Sequence, residues 1–272
     1  MTDLLRRSHA PLTDAAWQEI DEAATRLLKT HLVAREIVDV QGPHGWDFAA
    51  VNLGGLDVAD EPGPEDVPWG TRRVLPLIEV RLPFVLNQMA LDAVSRGAKD
   101  ADLEALEKVA QRACAFEETA IYHGMPSGHI VGLLQEAGRA TVPLPKQPRD
   151  MTQAVAEAVQ KLQQAGVPRP YFLLLGSEPL LRLQTHGDGG YPPYRIVQEL
   201  VEGHVRRCPT LQGGLVLSGA PGHFELALGQ DWSIGYTMHD RDSIELYLTE
   251  SFTFRVLEPA AVVELSAKTA AT

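Results

Sequence analysis

The segment RRVLPLIEVRLPFVL, residues 72–86, decides the fold because apolar residues recur in it at every second position. A period of two is that of a β-strand, whose successive side chains point to opposite faces. One face of the segment is therefore apolar over its last nine residues. That face is made by Ile78, Val80, Leu82, Phe84 and Leu86.

An acidic, proline-rich stretch connects this segment to an earlier extended one at residues 46–58. The connection, VADEPGPEDVPWGT at residues 58–71, contains three prolines and no basic residue, and it carries five acids when Asp57 is counted. Together the two segments predict a long two-stranded arm with a Pro/Gly-rich acidic tip. Because such a ribbon is marginally stable alone in water, its apolar face must pack either on the chain's own core or on a neighbouring subunit.

Two long helices flank the arm in sequence. Thr13 can cap the first, whose apolar residues recur at three- and four-residue steps as far as Leu28. The second, within residues 100–124, begins with acids and ends at Gly124, so it is predicted to be the spine of a domain.

The rest of the chain alternates between helical and extended patterns. Three prolines at residues 142–150 mark a passage between domains, and helices then alternate with buried strands such as YFLLL at residues 171–175. Short alternating runs over residues 231–265 are typical of antiparallel strands. The sequence therefore predicts an α+β fold class.

Composition and charge argue against several classes of protein. With 36 acidic and 24 basic residues, the net charge of −12 would repel a nucleic-acid backbone. The longest purely apolar run, residues 171–175, is far shorter than the roughly 18 residues of a membrane span. Cys114 and Cys208 have no CxxC spacing, which predicts free thiols in a reducing, cytoplasmic compartment rather than a disulfide framework or a zinc site.

A possible catalytic stretch is GQDWSIGYTMHDRD, residues 229–242, which brings an Asp, a Ser and a His close together in sequence. If these residues form a strand, Ser233 and His239 lie about 20 Å apart, whereas a nucleophile needs its base at about 3 Å. No G-x-S-x-G elbow surrounds the serine, and the GDGG of residues 187–190 lacks the Lys-Ser/Thr of a phosphate loop. A binding or structural protein is therefore predicted, and not an enzyme.

The sequence resembles the encapsulin shell proteins, a family also described as linocin-type bacteriocins. The resemblance extends from Asp3 to about Leu265 and depends on six motifs: LLRRSHAPLTDAAWQEIDEAA (4–24), VDVQGPHGWDFAAVNLG (38–54), LPLIEVRLPFVL (75–86), GLL (132–134), LGQDWSIGY (228–236) and LTESFTFRVLEP (248–259). It implies a phage capsid-like fold of the Hong Kong 97 type, with a peripheral domain, an axial domain and an extended loop. It also implies self-assembly into an icosahedral nanocompartment that encloses a cargo enzyme.

The resemblance divides the chain into five segments. Residues 1–42 contain the lumen-facing N-terminal helix and the start of the peripheral domain, and residues 43–86 are the extended loop. Residues 87–140 are peripheral domain with the spine helix. Residues 141–225 form the axial domain, and residues 226–272 return to the peripheral domain as strands and a tail.

Two functional surfaces are implied by the same resemblance. A terminal targeting peptide of the cargo is expected in an apolar groove beside the N-terminal helix, at Leu27, Leu28, Arg35, Ile37 and Asp39, although the two leucines could equally be plain core. If Ile37 lines this groove, Ile37→Asp should empty the shells and leave them intact. A pore loop at the five-fold axis is expected at His186, Gly187, Asp188, Gly189, Gly190 and Tyr191.

The cargo and the cofactor stay open at this point. Ferritin-like proteins and dye-decolourising peroxidases are the common cargoes of the family, which links the expected function to iron storage and oxidative stress. No catalytic group, metal or cofactor is expected in the shell itself. Some relatives hold a flavin on an aromatic residue beyond the extended loop, but Met89 stands there in this chain. The alternatives are a secreted bacteriocin or peptidase, and a phage capsid protein that packages DNA.

Overall fold

The computed structural model describes residues 4–99, 101–137, 140–185 and 191–267. The helices are α1 (Asp14–His31), α2 (Gln88–Ser95), α3 (Glu104–His123), α4 (Leu133–Ala137), α5 (Pro148–Gln164), α6 (Ser177–Thr185) and α7 (Pro193–Leu200). The strands are β1 (Asp39–Gln41), β2 (Ala50–Val58), β3 (Gly70–Pro76), β4 (Ile78–Asn87), β5 (Thr141–Pro143), β6 (Tyr171–Leu175), β7 (Val205–Arg207), β8 (Gly214–Ser218), β9 (Phe224–Leu228), β10 (Ser233–His239), β11 (Ser243–Val256) and β12 (Val262–Ser266).

The two predicted long helices are α1 and α3. Thr13 caps α1 by accepting the N–H of Ala16 on its hydroxyl oxygen, which satisfies a backbone donor that the first turn leaves free. Helix α3 is 20 residues long and ends at Gly124, whose φ of 77° a residue with a side chain adopts only at a cost. The apolar sides of both helices pack together against the first sheet.

The first sheet is built around β11, the longest strand. Its order is β1-β9-β11-β10, with β4 also paired to β11. The pairing of β4 is antiparallel and runs without a break from Ile78 opposite Phe252 to Asn87 opposite Ser243. Strand β4 is therefore part of the chain's own core, where Val80, Phe84 and Leu86 are buried.

This pairing corrects the predicted arm. The segment 72–86 was expected to be one strand, but it is two, because the chain changes partner at Leu77, whose N–H donates to the carbonyl oxygen of Ala49 (2.9 Å). Residues 78–86 pair with β11, and the apolar face that they share is buried in the chain's own core. Only residues 50–76 form the projecting ribbon, so the predicted arm was too long.

The ribbon consists of β2 and β3, which pair with each other and with no further strand of the described chain. Opposite residues run from Ala50 and Pro76 to Val58 and Gly70, and a bulge follows Asn52. Residues that face each other across an antiparallel pair point to the same side. One side of the ribbon therefore carries the apolar side chains of Leu56, Val58 and Val74, all of them exposed.

The second sheet has the order β5-β12-β8-β6-β7, and α5 packs on it through its buried side. Its central strands β6 and β8 are buried at every position, as the apolar run at 171–175 predicted. Strand β12 lies between β5 and β8. The chain thus returns to this sheet after residue 261, which differs from the predicted assignment of all of residues 226–272 to the peripheral domain.

Candidate functional site

The segment that follows α1 is attached to the spine helix α3 by two consecutive glutamates, Glu117 and Glu118. Arg35 donates two hydrogen bonds to Glu117, from Nε to Oε1 (2.8 Å) and from Nη2 to Oε2 (2.7 Å). The backbone N–H of Ala34 donates to Oε1 of Glu118 (2.7 Å). Adjacent residues of one helix therefore hold adjacent residues of the N-terminal segment.

Arg35 is also the centre of a larger cluster, named here the Arg35 junction: Arg35, Glu117, Asp231 and Glu250. Its Nη1 donates to Oδ1 of Asp231 (2.8 Å) and its Nη2 to Oε1 of Glu250 (2.5 Å). The side chains of Glu117 and Glu250 are fully buried, whereas that of Asp231 is 42% exposed. A single guanidinium thus serves three carboxylates, two of them without access to water.

Because three carboxylates share one guanidinium, the junction binds protons more tightly than free carboxylates do. Burial and the neighbouring Glu117 carboxylate raise the pKa of Glu250 well above its usual range, since the charge of Arg35 offsets them only in part. At the next position of α3, burial raises the pKa of Glu118 to about 7, although the hydrogen bond from the Ala34 N–H lowers it. Near Glu118, burial raises the pKa of the Cys208 thiol to about 11, so this thiol keeps its proton at neutral pH.

A cavity of about 380 Å³ opens beside the Arg35 junction and is named here the α1 pocket. Its lining combines apolar and polar side chains. Trp232 forms part of the wall, and its Nε1 donates to Oε2 of Glu117 (2.8 Å). The volume suits two or three side chains of an extended peptide. The lining residues are Thr25, Leu28, Lys29, Leu32, Arg35, Glu36, Asp231 and Trp232.

The structure places the five predicted docking residues differently. Leu28 and Arg35 line the α1 pocket, and Leu27 is half-buried on α1 outside the pocket lining. Asp39 accepts the backbone N–H of Gly222 at the start of β1 (2.5 Å). Ile37 is only 5% exposed and belongs to the main core.

The expectation for Ile37→Asp was therefore wrong. A carboxylate at this position would enter the core and not the floor of a groove, so it would destabilise the fold before it affected docking. Arg35 also differs from the predicted charged rim, because its guanidinium is directed to three carboxylates of its own chain. Six of the eight lining residues were missed: Thr25, Lys29, Leu32, Glu36, Asp231 and Trp232. The first four lie in or just after α1, close to the predicted residues. Asp231 and Trp232 lie about 200 positions along the chain from α1, in the stretch considered above for catalysis.

Of the predicted pore loop, His186, Gly187, Asp188, Gly189 and Gly190 lie outside the described residues. Tyr191 is exposed, and its hydroxyl donates to Oε1 of Glu199 (2.5 Å). The pore loop stays a prediction. Met89, at the position considered for a flavin, is exposed on the first turn of α2.

The Ser and His of the catalytic stretch have separate partners. Ser233 Oγ donates to the carbonyl oxygen of Asp231 (2.8 Å) and accepts from Nε2 of Gln230 (2.7 Å). His239 Nδ1 contacts the hydroxyl of Tyr236 (2.5 Å) on the same strand. Ser233 therefore has no imidazole to activate it within the described structure, as the strand spacing predicted. In the described ranges, none of the helices combines the length and the apolar character that crossing a bilayer requires.

Comparison with known proteins places this geometry in a family context. The family model described as "Encapsulating protein for peroxidase" (Linocin_M18) matches residues 1–253. A curated relative, the type 1 encapsulin shell protein of Rhodococcus erythropolis, is 38% identical over 262 residues, which cover 96% of this chain and 99% of the relative.

Solved structures give the same architecture. A virus-like particle protein from Pyrococcus furiosus superimposes with a TM-score of 0.67 at 13% identity, over 92% of this chain and 98% of that one. The capsid protein of the Myoviridae phage XM1 gives a TM-score of 0.54 at 11% identity, over 87% and 92% of the two chains. At these identities the likeness concerns the fold alone, and it confirms the predicted phage capsid-like α+β architecture.

The Arg35 junction predicts an unequal response to two arginine substitutions. Arg35→Ala would leave two buried carboxylates without their cation, which should lower the free energy of unfolding by about 3–5 kcal/mol. Arg206→Ala removes an exposed pair with Glu36 and should cost about 1 kcal/mol or less. Thermal unfolding of both variants beside the parent checks this. If both variants lost the same free energy of unfolding, the junction would contribute no more to stability than a surface ion pair.

Proposed function

Because this chain belongs to the encapsulin shell-protein family, we propose that the compartment formed by its copies captures a peroxidase-type cargo enzyme through a peptide that docks in the α1 pocket. The shell itself is a non-enzymatic, capsid-like assembly, as in the curated relatives of the family. The observation that carries the proposal is an apolar-walled pocket beside the N-terminal helix of such a shell protein.

The ribbon of β2 and β3 supports assembly through contacts between subunits. The side chains of Leu56, Val58 and Val74 share one side of it and are 56%, 69% and 46% exposed. A two-stranded ribbon with one uncovered apolar face is marginal in water. A neighbouring copy of the same chain can cover this face. This accounts for a ribbon whose apolar side does not pack on the chain's own core.

Val74→Lys should therefore prevent or weaken assembly. The substitution puts a charge on the apolar side of the ribbon, and symmetry repeats it in every subunit. Size-exclusion chromatography and negative-stain microscopy should show folded subunits in place of closed shells. The matched control is Thr71→Lys, which adds the same charge on the opposite side, across from Asp57. Normal shells from Val74→Lys would rule out this side of the ribbon as an interface.

The α1 pocket has the chemistry expected of a peptide site. Leu28, Leu32 and Trp232 give it apolar walls, while Lys29, Glu36 and Asp231 supply charges at its edge. Apolar side chains of a peptide can bury area on such walls, and charged edges select its register. We place this pocket on the lumenal side of the shell, where a tethered cargo would be enclosed.

Docking should be lost when the apolar wall is charged. In Leu28→Asp an unpaired carboxylate would meet the apolar side chain of the peptide, so loading should fall by at least about tenfold. Thr30→Asp, exposed on the same helix and outside the pocket, is the matched control. Co-expression with the native cargo, followed by a gel of purified shells, measures loading. Full loading of Leu28→Asp shells would place docking elsewhere.

A peroxidase is the favoured cargo because the matching family model is described by peroxidase encapsulation. Such a cargo would link the compartment to oxidative stress, and a ferritin-like cargo would link it to iron storage. Mass spectrometry of shells purified from the native cells should identify a peroxidase. A ferritin-like protein as the main co-purifying species would overturn this choice while leaving the shell function intact.

We also propose that the shell lies in the cytoplasm and that it contains neither nucleic acid nor a bound cofactor. Cys114 and Cys208 are buried free thiols, which suits a reducing compartment. The net charge of −12 per chain disfavours the packaging of DNA. A stoichiometric amount of nucleic acid in purified particles, or a flavin absorption spectrum, would contradict these points.

A further inference from the structure

We propose that the Arg35 junction and the neighbouring Glu118 form a proton-controlled latch, which holds the end of α1 against the spine helix when protonated and loosens as the pH rises. The latch is a property of the folded chain and does not depend on docking. Its effect on the α1 pocket, by contrast, rests on the function proposed above.

The first step of the argument is the shortage of positive charge. Arg35 is the one cation that contacts Glu117, Asp231 and Glu250 among the described residues. Both oxygens of Glu117 are occupied by Arg35, and one of them also by Trp232. Oε2 of Glu250 is buried and finds no hydrogen-bond partner in the described part of the chain. A proton on this oxygen would remove a charge that Arg35, which is shared among three carboxylates, neutralises only in part.

The second step concerns Glu118, which follows Glu117 on the spine helix. Oε1 accepts the Ala34 N–H, and Oε2 accepts the S–H of Cys208, a weak donor, at 3.8 Å. A carboxyl group protonated on the second oxygen keeps the bond to Ala34, whereas the ionised form adds a charge that no cation contacts. The other ionisable groups that face Glu118 are Glu117 and Tyr122, and neither supplies a positive charge near neutral pH.

The titratable and charged groups around the latch come from five parts of the chain, and Arg35 is the only cation among them in the described structure. They are Arg35 from the segment after α1; Cys114, Glu117, Glu118 and Tyr122 from α3; Cys208 and Asp231 from the segments after β7 and β9; and Glu250 from β11. The electrostatic balance of this region is therefore negative, and it becomes more negative with each proton lost.

The direction of the pH effect follows from the raised proton affinities. The pKa of Glu118 is about 7 in the folded chain against 4.5 for a free glutamate, so the folded state binds its proton more tightly than the unfolded state. The stability of the fold then falls as the pH rises from about 4.5 to about 7 and stays low above that range. The pKa of Glu250 is raised as well, chiefly by burial, so its ionisation also lowers the stability of the fold as the pH rises.

Loosening of the latch would change the shape of the α1 pocket, because the two share side chains. Arg35 and Asp231 belong to both the junction and the pocket, and the pocket residue Trp232 donates a hydrogen bond to Glu117. Water that enters to solvate ionised Glu250 must separate these groups. A docked peptide would therefore be held more firmly in mildly acidic than in alkaline solution.

The test uses purified full-length protein without cargo and three isosteric variants. Glu118→Gln and Glu250→Gln mimic the protonated carboxyl, and Glu107→Gln changes an exposed acid on the same spine helix. Relative to the parent, Glu118→Gln should have an unfolding midpoint about 5 °C higher at pH 8.5 and within about 2 °C at pH 5. Glu250→Gln should also have a higher unfolding midpoint than the parent at pH 8.5. Glu107→Gln should leave the midpoint unchanged at both pH values.

The latch would be overturned if Glu118→Gln and Glu250→Gln lowered the unfolding midpoint at both pH values, or raised it equally at both. The parent protein gives a second measurement that needs no variant. Hydrogen exchange of the amides of residues 34–38, corrected for intrinsic rates, should rise between pH 6 and pH 8.5 more than exchange within α5. Equal protection at both pH values would also overturn the proposal. Failure of cargo docking would leave both measurements unaffected, so the two ideas can be separated.

Discussion

The ion-pair junction at Arg35 holds together parts of the chain that are far apart in sequence. One guanidinium joins the segment after α1 to the spine helix at Glu117, to the loop before β10 at Asp231 and to the central strand at Glu250. Because two of these carboxylates are buried, the arrangement stands only while all its members are present. This contact fixes the segment after α1, and with it one part of the pocket wall.

The ribbon of β2 and β3 imposes the second constraint. In β4, which pairs with β11, the apolar residues of the alternating pattern are buried within the chain. The ribbon has no such partner among the described strands, and its apolar side stays exposed. A capsid-like shell resolves this difference, since a surface that one subunit leaves bare is covered by the next.

The two features divide the work of the protein between stability and assembly. The Arg35 junction acts inside one chain and fixes the surface that would receive a peptide. The ribbon is proposed to act between chains, and it shares no residue with that surface. Substitutions in one are therefore separable from substitutions in the other, which a protein with overlapping surfaces would not allow.

The sequence by itself determined the local elements and the family. Helix α1 follows from its cap at Thr13 and its three- and four-residue spacing, and the motifs over residues 4–24 and 228–259 were enough to recognise the family. Only the tertiary structure decided what covers each apolar face. Alternation in residues 78–86 predicts a strand but cannot name β11 as its partner, and it led to an arm that was too long. Ile37 and Arg35 lie two positions apart, yet one enters the core and the other joins carboxylates up to 215 residues away. Such contacts depend on how distant segments pack, and local periodicity carries no information about them.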